Sequence, residues 1–132
     1  MTEAGDRLRT PPNERFRSAQ HRFDLHEAAQ ALCEEGHPGL HKHRQETLYK
    51  SGDATIALFV FHAGAGLPPH VTQGGVTIHA LKGHLRVTAE GEQHDLRANQ
   101  LLILAPGVEH DVHAEQESHM LLTVCLDRAS QS

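Results

Sequence analysis

Histidine is the residue type in this sequence with the widest chemical range. The 132 residues include 13 histidines, against one tyrosine and no tryptophan. An imidazole can bind a metal ion, transfer a proton near neutral pH or simply form a hydrogen bond. The enrichment favours a metal-binding or ligand-binding hypothesis. Each histidine still needs an argument from its position, because most individual histidines are exposed or hydrogen-bonded without a chemical role.

Several other reactive groups stand in settings that do not indicate catalysis. His41 and His43 have the spacing of a ligand pair, but they lie in a Gly/Pro-rich connection, which predicts a solvated loop. No serine, threonine or cysteine has the neighbouring base that would activate it as a nucleophile. Cys33 and Cys125 occupy a polar helix end and an apolar run, so they indicate neither a disulfide framework nor a CxxC site.

Length and charge limit the class of protein. A chain of 132 residues suits one domain. Its 17 acidic and 12 basic residues give a net charge of −5, which disfavours nucleic acid because phosphate binding needs a basic surface. No apolar run approaches the ~20 residues of a membrane helix, and the N-terminus lacks the apolar segment of a secretory signal. We therefore expect a cytoplasmic protein that binds neither nucleic acid nor a membrane.

The residues before position 47 predict a polar arm followed by one short helix. Residues 1–22 are polar, contain Pro11-Pro12 and show no apolar period, which indicates a flexible arm. A helix is predicted near residues 24–34, starting with the capping pair Asp24 and Glu27 and ending before Gly36. Its apolar stripe has helical spacing and consists of Leu25, Ala28, Ala29 and Leu32.

From Thr47 onward the apolar period changes to two, which predicts short strands separated by turn residues. No helical pattern lies between consecutive strands, so a parallel α/β sheet is disfavoured and an antiparallel sandwich or barrel is favoured. The predicted strands cover residues 55–62, 76–81, 84–89, a short segment ending at 96, 101–105 and 119–126. Residues 64–69 are predicted to be a break.

Two segments, residues 64–83 and 97–113, resemble the motifs of the cupin superfamily. The first motif has a glycine, an HxH pair, a glutamate and a closing glycine, and here it begins at Gly66 and ends at Gly83. The second has a glycine, an apolar strand, a PxG turn and a histidine, with Asn99 at the glycine and Ala105 at the proline. The resemblance implies an all-β antiparallel double-stranded β-helix, or jelly-roll barrel of the RmlC-like kind. It would occupy residues 23–128, with 129–132 as a tail.

The same resemblance implies a metal site with missing ligands. In metal-binding cupins the HxH pair, the glutamate and the second-motif histidine hold an iron, manganese, zinc, nickel or copper ion. This sequence has His70 and His110 at the first and last of these positions, but Thr72 replaces the second histidine. The glutamate falls at Val76 or at Gly75, and neither side chain can bind a metal. A divalent transition metal held by His70 and His110 is therefore one possible cofactor.

Two functions remain open from the sequence. The first, which we favour, is the binding of a small polar or anionic molecule in an apolar-lined barrel. The second is a metal-dependent enzyme, dioxygenase- or isomerase-like, with His70, His110 and a further ligand. His79 and His113 are out of phase with the site by strand alternation, which leaves His62 as the best remaining ligand. The predicted pocket consists of His70, Thr72, Val76, Ile78, His110 and Val112.

A homodimer is the expected assembly. Cupin barrels commonly pair, and the polar arm and striped helix would be better covered by a partner. Open strand edges on a small sheet also favour pairing. The sensory domain of a regulator is a third function, weakened because no helix-turn-helix segment follows Leu126.

Overall fold

The computed structural model describes residues 15–35 and 43–125, which form one helix and two antiparallel sheets. The helix, α1 (Leu25–Cys33), begins where the sequence predicts it. Asp24 is its N-cap and accepts a hydrogen bond from the backbone N–H of Glu27 at 3.0 Å. Predictions for residues 1–14, 36–42 and 126–132, including most of the arm, His41 and the tail, lie outside the described residues.

Nine strands follow within the described residues, and every pairing between them is antiparallel. A five-stranded sheet has the order β1-β2-β9-β4-β7, and a four-stranded sheet has the order β3-β8-β5-β6. This architecture confirms the predicted antiparallel jelly roll with a short helix. The strands are β1 (His43–Lys50), β2 (Ala54–Phe61), β3 (Gly66–His70), β4 (Val76–Lys82), β5 (His84–Ala89), β6 (Glu92–Arg97), β7 (Leu101–Leu104), β8 (His110–Ala114) and β9 (Ser118–Cys125).

Two sequence predictions about the strands are wrong. The residues after Gly66 form β3 rather than a break, because β3 is an edge strand and Pro68 and Pro69 can lie where no ladder N–H is needed. The solvated-loop prediction fails for His43, which is the first residue of β1. Its ring lies 5.7 Å from that of Phe59 and 5.6 Å from that of Phe61, so aromatic packing holds it on the sheet.

The five-stranded sheet is apolar on both faces. Its inner face packs against the four-stranded sheet and forms the barrel core, called here the inner core. Its outer face packs against α1 and forms a second cluster, the outer core, from Ala29, Leu32, Leu48, Leu58, Val60 and Leu81. This double burial explains the near-continuous apolar run of β2, which alternation alone would not produce. The inner core consists of Ala57, Phe59, Phe61, Ala65, Val76, Ile78, Ala80, Leu85, Val87, Ala89, Leu96, Leu104, Val112, Ala114 and Met120.

Candidate functional site

A close approach of β3 to β8 brings the two motif histidines together. A Cβ atom on Gly66 would collide with the backbone carbonyl of Val112, so only glycine allows the two strands to pair here. A register shift between Leu67 and His70 then makes His70 and His110 direct cross-strand partners. His70 is the last residue of β3 and His110 the first of β8, and antiparallel pairing therefore places both at one end of the barrel.

The two imidazole rings make the same kind of hydrogen bond to the backbone. Their centroids are 4.3 Å apart and their planes meet at 60°. Nδ1 of His70 lies 2.8 Å from the carbonyl oxygen of Pro68, and Nδ1 of His110 lies 3.0 Å from that of Val108. A carbonyl can only accept, so each Nδ1 carries a proton and donates it, which leaves each Nε2 without the ring proton when the imidazole is neutral. The backbone thus fixes both tautomers.

Thr72 and Val76, which stand at the missing ligand positions, have structural contacts instead. The Thr72 hydroxyl donates a hydrogen bond to the carbonyl of Gly74 at 2.9 Å. The Thr72 carbonyl accepts from the N–H of Gly107 at 3.0 Å, which ties the loop after β3 to the turn before β8. Val76 is 2% exposed and packs in the inner core. Thr72 and Val76 therefore add no third ligand to the two imidazoles, whereas a tightly held catalytic ion usually has three protein ligands.

The remaining residues of the predicted pocket lie in packed protein. Ile78 and Val112 are 0% and 4% exposed, and both belong to the inner core. Both side chains are therefore packed among the other residues of the inner core. The half-buried side chains that pack against the inner core are the ones that border open space, and the sequence did not single them out. They are Leu67, Leu102, Val108, Leu122 and Val124.

The other histidines considered as ligands lie elsewhere. His62 is exposed and follows β2 beside Gly64, whose N–H donates to the carbonyl of Ala114 at the far end of β8 from His110. The hypothesis that His62 completes the metal set is therefore wrong. His79 lies between the inward-facing Ile78 and Ala80 and points away from the core, as alternation predicts. His113 is exposed on the face of β8 opposite to that of His110.

Two open cavities lie near these elements. One of about 150 Å³ lies beside His110 and is bordered by the carboxylates of Glu90, Glu109 and Asp111. The larger, about 380 Å³, is mainly apolar and lies between the start of α1 and the outer face of the five-stranded sheet, with Phe23 among its lining residues. Neither cavity is the predicted barrel interior. The cavity beside His110 offers one way for a ligand to reach the histidine pair.

The jelly roll, the two motif turns and the paired histidines together define a small barrel of the cupin type. The family model for the cupin domain matches residues 57–126, which is more than half of the chain. The chain therefore belongs to the cupin family. No protein of curated function matches the sequence. Within the described residues, no helix has the length and apolar character needed to span a membrane.

Solved structures confirm the fold over most of the chain. A cupin superfamily protein from Desulfitobacterium hafniense is 21% identical, with a TM-score of 0.63, covering 64% of this chain and 78% of that one. A conserved protein of unknown function from Streptococcus pyogenes is 22% identical, with a TM-score of 0.68, covering 84% and 90%. Salicylate 1,2-dioxygenase from Pseudoaminobacter salicylatoxidans, solved with gentisate adducts, is 14% identical, with a TM-score of 0.67, covering 77% and 32%.

Proposed function

We propose that this cupin binds a small polar or anionic molecule at the end of the barrel, through the Nε2 atoms of His70 and His110. The observation that carries the proposal is that both Nδ1 atoms are already bonded to backbone carbonyls. Each Nε2 can accept a hydrogen bond or, in the protonated ring, donate one to an anion. Two fixed polar atoms at the end of an apolar barrel match the usual composition of a ligand site.

A metal-dependent enzyme is the second candidate. A backbone carbonyl that accepts from Nδ1 is the arrangement that commonly orients a metal-binding histidine, and both histidines have it. One protein of similar fold is a dioxygenase by its own description. Against this candidate, Thr72 and Val76 supply no third ligand. We therefore favour ligand binding over catalysis.

We also propose a homodimer in the cytoplasm. Strand β7 lies at an edge of its sheet, and it exposes 55% of Leu101 and 69% of Ile103. Apolar side chains on an unpaired edge favour burial against a second copy. Cys33 and Cys125 are both free thiols, which suits a reducing compartment. Light scattering that gave the mass of a single 14.5 kDa chain at micromolar concentration would contradict the dimer.

A binding experiment with a matched control tests the main proposal. Wild-type protein, His70→Ala and His113→Ala would be screened by thermal shift against small carboxylates, phosphates and sugar acids. The affinity of each hit would then be measured by calorimetry. We expect a hit to stabilise the wild type and His113→Ala, because His113 points away from the pair, and to lose most of its effect in His70→Ala. Stoichiometric metal in the wild type that is lost in His70→Ala would instead favour the enzyme.

A further inference from the structure

A second group of metal-ligand side chains lies outside the barrel, where the end of α1 meets the start of β9. Cys33 is the last residue of α1, Glu117 directly precedes β9, and His119 lies on the outer face of β9 beside the outer core. His119 is only 5% exposed. The three residues bring one sulfur, one carboxylate oxygen and one ring nitrogen within 4.8 Å of one another.

The contacts converge on one point instead of forming a chain. Cys33 Sγ lies 3.6 Å from Nε2 of His119, and Glu117 Oε2 lies 3.6 Å from the same Nε2. In a triad of nucleophile, base and orienting carboxylate, the thiol and the carboxylate contact opposite ring nitrogens. Here both face the same nitrogen, so proton relay through the ring is not what the arrangement provides. A single central ion could contact all three atoms.

The separations match those around a tetrahedral zinc ion. Bonds of about 2.3 Å to sulfur and about 2.0–2.2 Å to nitrogen and oxygen, at tetrahedral angles, place S and N about 3.5 Å apart, S and O about 3.6 Å and N and O about 3.4 Å. The corresponding distances are 3.6 Å, 3.9 Å and 3.6 Å. Shifts of a few tenths of an ångström would therefore suffice to close the three side chains around an ion.

We propose that Cys33, Glu117 and His119 bind a zinc ion that joins α1 to β9. Thiolate and imidazole ligands suit zinc, and the ion's charge would be balanced by the thiolate and the carboxylate. The side chain of Glu117 is 56% exposed, which leaves the fourth position open to water. The C-terminal end of a helix favours a cation, and the last turn of α1 has no basic residue.

Some neighbouring groups favour metal binding at this site and others oppose it. Burial, followed by the charge of Glu117, raises the pKa of the Cys33 thiol, so the metal-free sulfur stays protonated and must release its proton to bind an ion. Burial lowers the pKa of His119, which keeps the ring neutral and its lone pair available. The positive charge of Lys82 lowers the pKa of both Cys33 and His119, and that of Arg44 lowers the pKa of Cys33. Both positive charges would oppose a bound cation. Lys82 is exposed on a flexible side chain and can move away from a bound ion.

The start of β9 is held rigidly, which orders the two ligands on it. The Ser118 hydroxyl accepts from the backbone N–H of His84 at 3.0 Å and donates to the carbonyl of Gln116 at 2.8 Å. Gly83 has a φ of +91°, and a Cβ there would collide with the carbonyl of Glu117 and with Ser118. The tight turn between β4 and β5 therefore fixes the backbone between the two ligands. Metal ligands on a fixed backbone need little reorganisation to bind an ion.

Cobalt substitution tests the site directly, because a thiolate bound to Co²⁺ gives a charge-transfer band and tetrahedral Co²⁺ absorbs strongly in the visible. The metal-free full chain would be titrated with Co²⁺ and then with Zn²⁺. We expect one ion per chain, both spectral signatures, displacement by Zn²⁺ and a rise in melting temperature. Cys33→Ser should abolish the charge-transfer band and weaken binding by at least about tenfold, and Glu117→Gln should weaken it while the band remains.

Two controls separate this site from the barrel pair. Cys125→Ser removes the free thiol at the other end of β9 and should leave the spectrum unchanged. The double variant His70→Ala/His110→Ala should also retain it, so failure of the ligand-binding proposal would leave this one standing. Binding without a thiolate band in the wild type, or unchanged affinity in Cys33→Ser, would overturn the proposal. Loss of the band in His70→Ala/His110→Ala with a folded protein would do the same.

Discussion

The barrel pair and the Cys33–Glu117–His119 cluster are opposite cases of the relation between motif and site. The barrel pair keeps the turns and register of a family motif, but Thr72 and Val76 remove half of its ligands. The outer cluster follows no spacing motif, since Cys33 lies 84 and 86 positions from its two partners. The distances between its three ligand atoms are nevertheless close to those around a tetrahedral zinc ion. Position in a motif therefore predicts where side chains meet, whereas the ligand types decide what they can bind.

The largest effect is expected from Gly66→Ala, which should separate the two regions. The new Cβ would collide with the backbone of Val112, so β3 and β8 must move apart, at a cost of about 1–3 kcal/mol in the free energy of unfolding. The histidine pair should lose its geometry while the outer cluster keeps its cobalt spectrum. Gly52→Ala is the control, because nothing lies within 4 Å of its Cβ position. Denaturant unfolding gives the free energies, and equal stability of the two variants would contradict the close approach of β3 and β8.

The sequence predicted the fold through local signals that survive packing. Gly/Pro turns and strand alternation fix which face each residue of a strand occupies, so the placement of Val76, Ile78 and Val112 on the inner face followed from the pattern. The prediction failed where packing overrides the pattern. The prolines of β3 were interpreted as a break because the sequence does not reveal that β3 is an edge strand. His43 was predicted to lie in a loop because its aromatic neighbours are on β2, far from it in the sequence.

The candidate sites were predictable to different degrees. The pairing of His70 with His110 depends on two turns, which leave traces in the sequence, and on a register shift between Leu67 and His70, which the sequence did not predict. The outer cluster depends on how α1 docks on the sheet, which is set by the outer core and has no short-range signature. The close packing of the inner core also could not be foreseen, since alternation gives the face of Ile78 but not the space left around it.

Restoring the family ligands is the second test of the comparison. Thr72→His with Val76→Glu, made in a Cys33→Ser background so that the outer cluster does not contribute, should bind Mn²⁺ or Co²⁺ at the barrel end. We expect affinity to rise by at least about tenfold, or about 1.4 kcal/mol, because His70 and His110 already present Nε2.

Without a bound metal, the same variant is expected to be less stable than the wild type. A carboxylate at position 76 would lie in packed apolar surroundings, where an unpaired buried charge destabilises the fold. Isothermal titration and thermal unfolding with and without metal distinguish the two effects. A destabilised variant that metal does not rescue would show that the pair cannot act as half of a metal site.

A smaller effect is expected from Lys82→Gln at the outer cluster. Removing a positive charge close to Cys33 and His119 should tighten cobalt or zinc binding about 1.4- to fivefold, since exposed charge interactions are worth about 0.2–1 kcal/mol. The gain should shrink as salt rises, because exposed charges are screened. Lys50→Gln, at the end of β1, is the control with the same charge change. Weaker binding in Lys82→Gln would mean that the lysine supports the site and does not oppose it.

The smallest effect concerns Asp95, whose partners lie beside the turn that holds the outer cluster. Asp95 Oδ1 is 2.8 Å from Nε2 of His84 and 3.1 Å from Nε of Arg86, and these hydrogen bonds lower the pKa of the Asp95 carboxyl below its ordinary value. A carboxyl whose pKa is lower in the folded protein contributes stability above its unfolded pKa of about 3.9 and loses it as pH falls through the folded value.

Asp95→Asn should therefore be slightly less stable than wild type above about pH 5, and the difference should disappear in more acid solution. Glu92→Gln, an exposed carboxylate on the same strand, controls for the loss of charge. Because the backbone N–H of His84 donates to Ser118, the same change should loosen the start of β9 slightly while leaving the barrel pair unaffected, which hydrogen exchange at Ser118 and His110 would resolve. A stability difference between Asp95→Asn and wild type that grew toward acid pH would contradict the assignment of the shift to His84 and Arg86.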